Sequence, residues 1–190
     1  MEIEYEATFP NIIKDEIRNK LIELGAKLIK KEFLMKRSVF TLPKNNEIDN
    51  AWLRVRDESD RITMSLKVID GNQIHNQKEV CLNIDHFSDA ELFLTTLGCK
   101  KKAYQETKRE LWILDEVEVC IDEWPFLEPF VEVEGKSEEL VKLVSEKLGF
   151  DYTKALFCSV ATLYNIKYGV DEDIISNATP IITFEKNPFL

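Results

Sequence analysis

The chain has 190 residues, of which 44% are hydrophobic and 32% charged, with only 6 Gly and 6 Pro. That is enough for one domain with its own core, and it excludes a disordered, collagenous or low-complexity chain. The 35 acidic residues against 25 basic ones leave a net charge of -10, which argues against a non-specific nucleic-acid or membrane-surface binder.

Residues 2–9 alternate strictly, with Glu2, Glu4, Glu6 and Thr8 on one face and Ile3, Tyr5, Ala7 and Phe9 on the other. This predicts a strand, broken by Pro10 and Asn11. Ile13, Ile17, Leu21 and Leu24 recur at helical spacing, and Gly25 closes that helix. A strand over residues 34–42, a polar loop over 44–50 and a hairpin of strands 52–56 and 62–68 follow. Asp70-Gly71-Asn72 signals a turn. The pattern then recurs. Residues 78–84 read as a strand. Ser88 with Glu91 forms a capping box for a helix ending at Gly98. A strand carrying Lys108-Arg109 and two more strands come next. Leu24-Gly25-Ala26-Lys27 matches Leu97-Gly98-Cys99-Lys100, and Glu6 and Glu79 fall at the same offset. Each half reads strand, helix, strand, strand, strand. The expected fold is α+β, with about eight mostly antiparallel strands closing into a barrel and helices packed outside. Helices over residues 137–148 and 159–168 and an extended strap over 169–190 complete the chain. The expected division is a domain over 1–169 and a C-terminal extension over 170–190 packing on it.

The four cysteines form no C-x-x-C pair and there are only two histidines, so a zinc site of Cys and His ligands is not expected. The N-terminus lacks a basic segment followed by an apolar run. The longest uncharged stretch, residues 155–166, is too short to span a bilayer. Free thiols without an export signal lead to an expected cytoplasmic location. No P-loop, serine nucleophile elbow or Cys/His protease signature is present. Trp52, Trp112 and Trp124 read as packing anchors first, although such rings can also stack a base.

The charges sit on strand faces. Glu4 and Glu6 share one face, Arg54 and Arg56 another, Lys67 a third, Glu118 and Asp122 a fourth, and Glu132 and Glu134 a fifth. In a small barrel such faces ordinarily point to solvent. Amphipathic helices outside the barrel reverse that expectation, because they need outward-facing Ile3, Leu53, Val55, Val131 and Val133 to cover. The charges then point inward, which is costly unless they are paired or bind something. Oxygen-only carboxylate clusters suit Mg²⁺ or Mn²⁺, and arginines suit phosphate oxygens. One interior holding both sets implies a metal-chelated polyphosphate.

Glu4-Tyr5-Glu6 resembles the opening E-x-E-x-K motif of the CYTH, or triphosphate tunnel metalloenzyme, superfamily. Trp52-Leu53-Arg54-Val55-Arg56, Lys67, Lys108-Arg109, Asp122-Glu123-Trp124-Pro125 and Phe130 to Gly135 resemble bacterial and archaeal members of the class IV adenylyl cyclase type. The resemblance implies an eight-stranded tunnel. It implies that Glu4, Glu6, Asp122, Glu132 and Glu134 hold Mg²⁺ or Mn²⁺, and that Arg54, Arg56, Lys67 and Arg109 grip a triphosphate, with Glu4 and Glu6 also counted as catalytic. The expected activity is hydrolysis of a nucleoside or inorganic triphosphate. The alternatives are a class IV-type cyclase making cyclic AMP from ATP, and a catalytically weakened phosphate-binding module. The expected partner is a triphosphate-containing small molecule, and relatives often form homodimers. Two positions depart from the pattern. Thr8 stands in place of the motif lysine, and Thr107 in place of a lysine two residues before Arg109. Fewer inward cations predict weaker triphosphate binding, at roughly 1.5–3 kcal/mol per charge-assisted contact.

Overall fold

In the computed structural model, which describes residues 1–190, the first predicted strand divides at Glu4 into β1 (Glu2–Ile3) and β2 (Tyr5–Phe9). The division has a consequence for the whole sheet. β1 pairs antiparallel with β6 (Gln77–Ile84), and β2 pairs antiparallel with β9 (Phe130–Gly135). A single length of chain thus satisfies both edges of the sheet. The Glu4 amide donates to the Gln77 carbonyl at 2.9 Å and the Gln77 amide side chain donates to the Glu6 carbonyl at 3.0 Å, so the seam is hydrogen-bonded through the break. The strand order β1-β6-β5-β4-β3-β7-β8-β9-β2 is therefore an antiparallel ring, with the first strand counted at both ends. Closure removes the unpaired edges that an open sheet exposes.

The two halves repeat as predicted. α1 (Lys14–Glu23), β3 (Lys27–Phe40), β4 (Ala51–Asp57) and β5 (Ile62–Ile69) follow the first strand. α2 (Phe87–Thr96), β7 (Lys101–Leu114), β8 (Val117–Glu123) and β9 follow β6. The long strands β3 and β7 pair with each other and join the halves. Both helices end as the sequence indicates, with Gly25 and Gly98 at φ +76° and +89°. The capping box at α2 does not form. His86 precedes the helix, no side chain caps it, and Ser88 already lies inside the first turn. β3 is also longer than predicted, beginning at Lys27, because its N-terminal part is irregular in register and lacks alternation.

Helices cover the outside of the ring. Ile17 and Leu21 of α1, and Val141, Val144 and Leu148 from α3 (Glu138–Lys147) and its C-terminus, pack with Ala7, Phe9, Val119, Val131 and Val133. Ala90 and Leu94 of α2 pack on Phe40 and Val55. This burial stabilises the fold by about 1.5–3 kcal/mol per large side chain. Ile3 departs from the expectation: its side chain is exposed, because no helix lies over β1. Ser137 caps α3 by accepting from the Leu140 amide. α4 (Val160–Tyr168) ends at Gly169 as predicted. The tail is not an extended strap. It forms α5 (Glu172–Asn177) and the short β10 (Ile181–Ile182), which pairs parallel with β7. Ile175 and Ile182 join Trp124, Phe130, Ala161 and Tyr164 in a separate apolar cluster. No helix is long and apolar enough to cross a membrane.

Candidate functional site

Covering the apolar strand faces from outside leaves the charged faces no place but the interior. They surround a cavity of about 660 Å³. Glu4, Glu6, Arg54, Arg56, Lys67, Arg109, Glu132 and Glu134 all line it, as the alternation and the helices together required. Trp52 lines it too, opposite Lys67 in the β4–β5 register. Asp122 is buried beside the cavity rather than on its wall, held behind Arg109.

The interior charges are arranged as clasped pairs. Lys67 Nζ lies 2.9 Å from Glu4 and 3.7 Å from Glu6. Arg54 donates to Glu79 at 2.9 Å. Arg109 spans Asp122 and Glu132, with bonds of 2.8 and 2.5 Å to Asp122 and a further close one to Glu132. Arg56 donates to Glu58 at 2.7 Å, and Glu58 also accepts from Arg61 at 2.8 Å in the β4–β5 turn. Each ion offsets a desolvation cost its partner could not bear alone.

Within these clasps the carboxyls crowd one another. Burial, together with a hydrogen bond shared with Glu79, pushes Glu4 up to about 8, despite Lys67. Its partner Glu79 is moved the other way: burial raises it, but Arg54, hydrogen bonds with Glu4 and Ser65, and Lys67 together outweigh burial and hold it well below the carboxylate range. Asp122 and Glu132 divide similarly. Burial pushes Asp122 up to about 7 against Arg109, while at Glu132 Arg109, a hydrogen bond with Asp122, Lys67 and Arg37 together outweigh burial and lower it. Glu134, opposite Glu6 in the β2–β9 register, rises to about 7 through burial and the Glu6 charge. Burial opposes the Lys67 ammonium, but Glu6 and Glu4 outweigh it and raise its pKa. Two acids close together divide in this way because both cannot ionise freely.

No three of the acidic, cysteine and histidine side chains are drawn together tightly enough to hold an ion as they stand, since the acids are turned onto cations. The donor set still fits a hard divalent ion. Glu4, Glu6, Glu132 and Glu134 offer oxygen donors only, although Glu4 Oε2 lies 2.9 Å from Lys67 Nζ and must leave it to reach an ion.

Two residues outside the predicted set enter the site. Glu79 lines the cavity and clasps Arg54; its offset match to Glu6 was the one signal in the sequence. Arg37, from β3, is buried in the wall. It donates to the Thr107 hydroxyl at 2.9 Å, so a cation from the neighbouring strand stands where a lysine at 107 would point. Lys108 does not fill that role. It faces outward, 3.0 Å from Glu123 and over the Phe184 ring. Thr8 is buried opposite Glu132 and borders a separate small space of about 10 Å³ with Cys158, Ser159 and Val160. Of the tryptophans, Trp112 packs in the outer core, whereas Trp124 lines the cavity under Arg37.

A family profile described as the CYTH domain matches residues 1–160. No curated protein matches the chain by sequence. Solved structures share the fold. A conserved hypothetical protein from Pyrococcus furiosus is 20% identical, with a TM-score of 0.69 over 84% of this chain and 99% of its own. A protein from Vibrio parahaemolyticus, provisionally described as an adenylate cyclase, is 12% identical with a TM-score of 0.73, over 86% of this chain and 98% of its own. A Hippeastrum protein, named as a candidate adenylyl cyclase with a dominant triphosphatase activity, is 14% identical with a TM-score of 0.59, over 89% and 96%.

Proposed function

Since the chain belongs to the CYTH domain family, we propose that its barrel binds a triphosphate together with a divalent cation and hydrolyses it. The observation that carries this reading is the single cavity in which Arg37, Arg54, Arg56, Lys67 and Arg109 face Glu4, Glu6, Glu132 and Glu134. Polyphosphate oxygens match guanidinium forks, and a buried basic set holds them with little competition from water. Arg54, Arg56, Lys67 and Arg109 bind and orient the phosphates and neutralise charge that develops on the leaving group. Glu4, Glu6, Glu132 and Glu134 would hold Mg²⁺ or Mn²⁺, with Asp122 joining them only on release from Arg109. When bound, such an ion supplies charge neutralisation and a more acidic water. The domain is taken as 1–169, with 170–190 an extension on the same body.

A second reading, cyclisation of a nucleoside triphosphate, is favoured by one observation. Trp52 lines the cavity beside Lys67, where an indole can stack a base next to the phosphate-binding cations. There the ribose 3′-hydroxyl attacks the α-phosphorus and pyrophosphate leaves. Incubation with tripolyphosphate, ATP and thiamine triphosphate under Mg²⁺ or Mn²⁺ separates the readings. Release of phosphate from any of them supports hydrolysis. Cyclic AMP with pyrophosphate from ATP supports cyclisation. No turnover of any substrate leaves binding without catalysis and sinks both.

A further inference from the structure

Of the five cations that face the tunnel's acids, Arg37, Arg54, Arg56, Lys67 and Arg109, four are committed. Arg54 is held by Glu79, Arg56 by Glu58, Lys67 by Glu4 and Glu6, and Arg109 by Asp122 and Glu132. Arg37 has no carboxylate partner at all. Its contacts are the Thr107 hydroxyl at 2.9 Å, the Met35 sulfur at 3.6 Å and the face of Trp124, with the ring centre 4.6 Å from the guanidinium carbon. Its Nε is buried without any partner. A guanidinium has five N–H donors and does not give up its proton, so most of this group's bonding capacity is unused.

The surroundings make the isolation costly. Arg37 is 6% exposed and lies directly opposite Arg56 in the β3–β4 register. Like charges opposite each other across paired strands repel. Burial first, and then Arg54, Arg56 and Arg109, press its pKa well below the usual arginine value. A group that is charged, buried, repelled and under-bonded destabilises the fold unless an anion arrives. Trp124 and Thr107 meanwhile hold its plane in one orientation, which is how a binding group is kept ready.

We propose that Arg37 is a further anion-binding residue of this tunnel, a buried guanidinium that can donate to phosphoryl oxygens without first surrendering a carboxylate. The other four exchange an internal acid for the ligand, or wait for a divalent ion to draw that acid away. Arg37 exchanges nothing. It therefore dominates binding of a polyphosphate when no metal is present. The inference rests on the proposed triphosphate site and adds to it a residue from β3, the strand that contributes none of the motif residues.

The test is calorimetric titration of the full chain with inorganic tripolyphosphate in the presence of a chelator, for wild type, Arg37→Met, Arg37→Lys and Arg54→Gln, each also melted. Arg37→Met removes the charge and keeps apolar volume over Trp124. It is expected to melt no lower than wild type and to bind at least about tenfold more weakly, the loss of one strong charge-assisted contact. Arg37→Lys retains the charge and is expected to stay within about threefold of wild type. Arg54→Gln is expected to weaken binding as well. Wild-type affinity in Arg37→Met, alongside a loss in Arg54→Gln, overturns the proposal and leaves the triphosphate site standing. Failure of wild type to bind, or no loss in either variant, removes both. Should Arg37→Met not fold, that result marks Arg37 as structural and overturns the proposal, unless Arg37→Gln folds and shows the tenfold loss.

Discussion

Arg109 and Asp122 face each other across β7 and β8, and the guanidinium holds both carboxylate oxygens, at 2.8 and 2.5 Å. Asp122 is almost wholly buried, so the pair is shielded from water. Removing one partner of such a pair leaves a charge the interior cannot solvate. Asp122→Ala is expected to lose about 3 kcal/mol in urea unfolding, the low end for a broken buried pair because Glu132 still touches Arg109. A loss below about 1 kcal/mol would show that the pair is worth no more than a surface contact.

The acids of β2 and β9 lead to a metal prediction. Glu4→Ala and Glu132→Ala each remove oxygen donors and leave a less negative cavity. Mn²⁺ titration is expected to give affinities at least about tenfold weaker, since even outer partners of a metal site cost that much. Unchanged affinity in both variants would assign these carboxylates to Lys67 and Arg109 alone.

Restoring the two lysines of the family motif is not expected to help. Thr107→Lys would bring a second cation against Arg37, which already donates to that hydroxyl. Thr8→Lys would force a long side chain into a space of about 10 Å³ beside Cys158 and Ser159. Each is expected to lower stability by about 1–3 kcal/mol, the usual cost of overpacking, without raising turnover. A gain in tripolyphosphate turnover from either variant contradicts this.

Glu58 sets an acid limb of stability. Burial works to raise its carboxyl, but Arg56 and then Arg61 outweigh burial and hold it below its ordinary 4.5. A folded-state pKa below the unfolded one stabilises the protein above the unfolded pKa, and this is lost as pH falls through the lowered value. Wild type is expected to exceed Glu58→Gln by about 1–2 kcal/mol near pH 7, because the carboxylate is bonded to two arginines. The gap is expected to narrow below pH 4.5. Unfolding curves that remain equally far apart at pH 3.5 would assign the difference to packing.

Much of this architecture was legible in the residues. Period-2 alternation on Glu4 and Glu6, Arg54 and Arg56, and Glu132 and Glu134 placed each pair on one strand face, because successive side chains in a strand point opposite ways. Gly25 and Gly98 marked two helix ends, because each sits at a positive φ that other residues resist. The matched ends exposed the repeat, and the ordered motifs identified the family. Alternation alone does not say which face is inside; the amphipathic helices decided that, by needing Val55, Val131 and Val133 to cover. Tertiary structure decided the rest through long-range pairing. Nothing local to Glu4 shows that the strand breaks there to reach β6 on one side and β9 on the other. Arg37 and Lys108 are both basic residues on long strands, yet register sends one to Thr107 inside and the other to Glu123 outside. Glu79 enters the site only because β6 lies beside β5, which sets it across from Lys67 and within reach of Arg54. Composition and spacing establish which charges the chain owns, but their partners are fixed by strand neighbours far away in sequence, since interior charges are stable only where the closed ring sets opposite signs together.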